Sequence, residues 1–93
     1  MPTLAEFFGL KVCMYREDNS SHHYPHVHVY VAECDAVVRI PDGEVMEADD
    51  GFPKSKLRLA QVWIDLHANE LMENWTLIGA DKKFFKIAPL EVR

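Results

Sequence analysis

The sequence predicts an α+β domain, on three observations. Apolar residues alternate with period 2 through the first half of the chain, the mark of half-buried strands. Short turn-rich connections join those strands, which favours an antiparallel meander over crossovers. From about residue 54 the period changes to that of a helix. The expected architecture is a meander of about four strands, one long helix across it, and a short C-terminal strand or tail.

Each element has its own signal. After an apolar start (Leu4, Phe7, Phe8) and the breaker Gly9, Leu10, Val12 and Met14 alternate with Lys11, Cys13 and Tyr15. Pro25 biases Tyr24 toward extended geometry. In "HVHVYVA" the residues Val27, Val29 and Val31 take one face and His26, His28 and Tyr30 the other, and the valine face belongs to the core. "AVVRI" reads as a third strand, Asp42-Gly43 as a tight turn, and "EVMEA" as a fourth strand. Across residues 54–75, Leu57, Ala60, Ile64, Ala68, Leu71 and Trp75 fall on one helical stripe, and Leu59, Val62 and Leu66 form a second apolar line. A helix on a sheet needs one such stripe. The second requires another cover, either the tail "KKFFKIAPL" folded back over it or another protein chain.

A chain of 93 residues supports one core, so residues 1–93 are expected to form a single domain. With 48% hydrophobic and 27% charged residues it has the composition of a soluble globular protein. No signal-peptide pattern or spanning apolar run is present, so the expected location is cytoplasmic with no membrane contact. Cys13 and Cys34 follow no ligand spacing and are expected to be reduced thiols. Residues 1–50 carry a balance of −7 and residues 51–93 one of +2. An acidic domain is poorly suited to general polyanion binding, which draws on clustered Lys and Arg. Phosphate-cradling glycine loops, nucleophile elbows and serine triads are absent from the sequence, and no cofactor is expected.

Four of the five histidines lie within seven residues, in "SSHHYPHVHVYV". His26 and His28, at i and i+2 on a strand, point the same way about 6.6 Å apart and can converge on one atom. A zinc site needs three or four ligands. Asp18, His22, His23, Glu33 and Cys34 are the available partners, none at a recognised spacing, so no metal is assigned. As an acid–base pair, His26 and His28 could serve RNA cleavage, with Tyr30, Lys11 or Arg39 assisting. The bland reading is a solvated strand face whose rings pair with carboxylates and tyrosine hydroxyls. His67, beside the core stripe, is expected to be partly buried and bonded to a sheet carbonyl. Asn74-Trp75 reads as a helix terminator followed by a core anchor.

The order "MPT…F.G…MY.ED…H.PHVHV", then "GEV", "W..LH..EL..NW" and "K.IAPLE" resembles the small bacterial family called domain of unknown function 4160. The match falls on Asp18, Pro25, His26, His28, Val29, Gly43, Glu44, Trp63, His67, Glu70, Leu71, Asn74 and Trp75. "VYVAECDA" departs from that family's glycine-containing turn, and His22 and His23 replace a shorter lead to Pro25. The resemblance implies a partner, because members are often encoded beside a second small protein in an arrangement similar to toxin–antitoxin pairs. The leading expectation is therefore a binding or regulatory module that meets a second small protein, or itself, through Leu59, Val62 and Leu66. The alternative is a small ribonuclease or metal-dependent hydrolase built on His26 and His28, with Asp18, Tyr30 and His67 as accessories. Nucleic acid enters only under that alternative.

Overall fold

The structure, a computed structural model, describes residues 2–16 and 24–91. Its class is α+β: five antiparallel strands followed by two helices. The strands are β1 (Thr3–Phe7), β2 (Leu10–Cys13), β3 (His26–Val31), β4 (Cys34–Arg39) and β5 (Val45–Ala48). They lie in the sheet in chain order, as a meander. The helices are α1 (Lys54–Leu66) and α2 (Ala68–Gly79).

The expected count of four strands is one short, because the apolar start is itself a strand. Phe7 pairs with Leu10 across the two-residue turn Phe8-Gly9, in which both residues have positive φ. Glycine takes that conformation without penalty, and such turns match the twist of a hairpin. A bulge between Thr3 and Ala5 interrupts the alternation, so "TLAEF" lacks the clean period of a strand.

The register fixes the two faces of the sheet. Leu10 opposes Val31, Val12 opposes Val29, Val29 opposes Ala36 and Val27 opposes Val38, which gathers the aliphatic residues on one face. On the other, Cys13, His28 and Val37 lie abreast, followed by Lys11, Tyr30 and Asp35. Val27 and Val29 are fully buried and join Ala60, Trp63, Ile64 and Leu71 in one core. The inward valine face is as expected.

α1 is tied to the sheet at two turns. Lys56 Nζ donates to the Phe8 carbonyl, and Gln61 Nε2 donates to the Gly43 carbonyl at 2.8 Å. Gly43 sits at positive φ in the β4–β5 turn, where its N–H donates to the Arg39 carbonyl. The Arg39 guanidinium pairs with both Asp42 and Glu44 across the same turn, and this holds the Asp42 carboxyl below the usual carboxylate range.

One long helix was the expectation, and the chain forms two. His67 leaves helical geometry at φ −117, ψ 26, yet its N–H still reaches the Trp63 carbonyl and its own carbonyl still accepts from Leu71. These i to i−4 bonds on either side keep the apolar stripe in phase across the break. No glycine or proline marks the place. No helix among the described residues is long and apolar enough to cross a membrane.

After α2 the chain from Lys82 to Glu91 has no helix or strand, in agreement with the expected tail. Of the second helical line, Leu59 packs partly against the core, and the rest is left uncovered. The tail's main chain is held by Asn74, Trp63 and Leu4, and Val62 and Leu66 remain exposed.

Candidate functional site

Two groups of residues carry the candidate chemistry. The first is the ring cluster at the start of β3. His26 lies 5.5 Å from Tyr24, 5.3 Å from His28 and 5.2 Å from Trp75, centroid to centroid. Its Nδ1 faces the Tyr24 carbonyl at 2.8 Å, and since a carbonyl only accepts, Nδ1 carries the hydrogen. The ring is 1% exposed. Strand alternation correctly removed His26 from the valine face and incorrectly put it in water. α2 brings Trp75 onto the imidazole, a closure that depends on a tertiary contact and leaves no mark in the period.

His28 is half-buried beside Tyr15 at 5.0 Å and stacks over Tyr30 at 6.4 Å. The Tyr15 and Tyr30 hydroxyls meet at 3.0 Å. Burial, then that hydrogen bond, pushes the Tyr15 hydroxyl well above the ordinary tyrosine range, so it is a proton holder rather than a base at neutral pH. Tyr30 lies beside His28 and is bonded to Tyr15. Together these side chains form an aromatic layer with polar edges, more densely packed than a solvated strand face. Asp18, His22 and His23 lie outside the described residues. Among the described residues no three His, Cys, Asp or Glu side chains are arranged to hold a metal ion.

His67 takes a different position from the one expected. Its Nδ1 meets Glu70 Oε1 at 2.6 Å, and its ring lies 5.4 Å from Trp63. The bond goes to a carboxylate three residues on, not to a sheet carbonyl. It joins the N-cap and N3 side chains of α2 to each other, and no side chain caps a backbone group at that helix start. His67 thus stands at the break between the helices. Cys13 and Cys34 are free thiols.

The second group is the outer line of α1. Val62 is 46% and Leu66 64% exposed, one turn apart, with half-buried Leu59 beside them. Phe8, in the turn that Lys56 binds, is a further exposed apolar side chain. Lys54, Lys56 and Arg58 crowd the same end of α1, and its first turn holds no acidic residue. Cations at a helix N-terminus oppose the macrodipole, so helix stability does not account for them.

Two buried side chains escaped their sequence reading. Asn74, read as a terminator, is fully buried and holds Phe85 through both of its main-chain groups. Trp63, assigned to neither apolar line, is fully buried, packs 5.5 Å from Phe7 and donates its indole N–H to the Ala88 carbonyl at 2.8 Å. A polar residue at i+3 from Leu71 on the buried side of α2 was the available signal for Asn74.

The sequence model of one family, described as Domain of unknown function (DUF4160), matches residues 9–76. The chain belongs to this family. The DUF4160 match takes in the ring cluster, α1 and most of α2, and stops short of the tail. No curated protein and no solved structure matches the chain.

Proposed function

We propose that this DUF4160 chain is a binding module whose partner, a second small protein, seats on the outer line of α1. The observation that carries the reading is the exposure of Val62 and Leu66 one turn apart, while the nearest apolar segment of the chain, the tail, is committed to Trp63, Asn74 and Leu4. Burying a fully exposed aliphatic side chain is worth about 1.5–3 kcal/mol, and the exposed parts of Val62 and Leu66 offer roughly half of that each. Arg58, one turn before Val62, and Lys54 at the start of α1 favour an acidic partner surface. A paired arrangement of small proteins, similar to toxin–antitoxin pairs, supplies such a partner.

The acid–base alternative on His26 and His28 has weaker support. One of its two imidazoles is 1% exposed, with Nδ1 engaged by the Tyr24 carbonyl. Tyr24, His28 and Trp75 all pack against that ring.

Co-expression with the product of the adjacent gene tests the proposal. The wild-type chain is expected to co-purify with it, and a Val62→Lys/Leu66→Glu variant to lose the partner while keeping its circular dichroism and Tm, since both positions are exposed. Equal recovery with the variant, or a wild-type chain that stays alone and monomeric, would overturn the proposal.

A further inference from the structure

The tail is bound as a peptide is bound. From Lys82 to Glu91 it has no secondary structure of its own, yet Asn74, Trp63 and Leu4 grip its main chain by hydrogen bonds. Asn74 Nδ2 donates to the Phe85 carbonyl at 2.8 Å, and the Phe85 N–H donates to Asn74 Oδ1 at 3.0 Å. The Ile87 N–H donates to the Leu4 carbonyl on the outer edge of β1 at 3.0 Å, and the Trp63 indole donates to the Ala88 carbonyl. Ile87 is buried in the core, with Phe84, Phe85 and Leu90 packed against it.

The receiving side is formed by side chains of the two helices and by the edge of β1. Trp63 and Asn74 are both fully buried, with their polar atoms aimed at an extended backbone. With the tail seated, each of these polar groups has a backbone partner, which water or another backbone would have to replace if the tail left. Both residues lie within the family-matched part of the chain, and the tail lies beyond it.

The link between groove and tail is short and holds a residue in an uncommon conformation. Asp81 has φ +60, left-handed and not glycine, between the end of α2 and Lys82, whose N–H turns back to the Leu77 carbonyl. An opened hinge releases that conformation. A second copy of the chain carries the identical segment and can make every groove contact unchanged.

We propose that the segment 82–91 exchanges between two copies, so that each groove holds the other's tail in a swapped dimer. The exchange is independent of the outer line of α1. Closed and swapped forms differ in hinge strain and association entropy, and the dimer is therefore favoured by high protein concentration and by anything that keeps the tail from reaching its own groove.

Deleting Ala80 and Asp81 from the full chain tests this. The variant is expected to be a dimer by light scattering, with a Tm close to that of the wild type. Refolding a mixture of 15N-labelled and 13C-labelled copies is expected to give NOEs between the Asn74 carboxamide of one copy and Phe85 of the other. Asp81→Gly, which removes the conformational penalty in the closed hinge, is expected to lower the wild-type dimerisation constant roughly tenfold. A deletion variant that is monomeric and destabilised, or a dimer whose Asn74–Phe85 NOEs stay within one copy, would overturn the proposal. A dimerisation constant unmoved by Asp81→Gly would do the same.

Discussion

The Asn74 carboxamide holds Phe85 by both main-chain groups, donating to its carbonyl at 2.8 Å and accepting from its N–H at 3.0 Å. A single fully buried side chain on α2 thus replaces the two hydrogen bonds that a neighbouring strand would have supplied. Asn74→Ala removes both and leaves the Phe85 groups without partners in a part-buried place. The expected loss is about 2–4 kcal/mol in urea unfolding. Asn69→Ala, on the exposed side of the same helix, is expected to change stability by about 0.5 kcal/mol or less. Equal effects would mean that the tail contributes little to the fold.

The β3–β4 turn carries a correctable cost. Val31 pairs with Cys34, so Ala32-Glu33 is a two-residue turn, and Ala32 sits at φ 51 with its side chain exposed. The left-handed region penalises any Cβ, and glycine escapes that penalty at some loss of unfolded-chain entropy. Ala32→Gly is expected to stabilise the protein by about 0.5–1 kcal/mol. Thermal unfolding checks it, and a lower Tm would show that the turn is held by contacts a glycine loses.

The tyrosine pair predicts an alkaline limit. Burial, then the bond to Tyr30, raises the Tyr15 hydroxyl above its ordinary value, so the fold favours the neutral form. That contribution is complete below about pH 10, the unfolded value, and is lost as pH rises from there toward the folded value. Tyr15→Phe is expected to lower Tm at pH 7 through the lost hydrogen bond and to show a shallower decline above pH 10 than the wild type. Parallel alkaline limbs would contradict this.

What the sequence revealed was what local chemistry determines. Val27, Val29 and Val31 turn inward because strand alternation leaves no other choice once one face is aliphatic. Gly43 marks its turn through its own φ, and Ala60, Ile64 and Leu71 are buried on the stripe that helical spacing assigns them. The missing parts depend on contacts between distant segments. The bulge in β1 breaks a period that would have shown a strand. The break at His67 preserves the backbone bonding on both sides and so hides from a wheel. His26 is buried by Trp75, a residue 49 positions along the chain. Trp63 and Asn74 were legible as large or polar residues on a helix, but their partners in the tail were not.

Hydrogen exchange with the adjacent gene product bound tests the central claim most directly. On binding, amides of residues 59–66 in α1 are expected to gain protection, with the turn at Phe8 gaining alongside them and β3 unchanged. Protection centred on His26–Tyr30, or none on α1, would contradict the claim that this helix is the docking face.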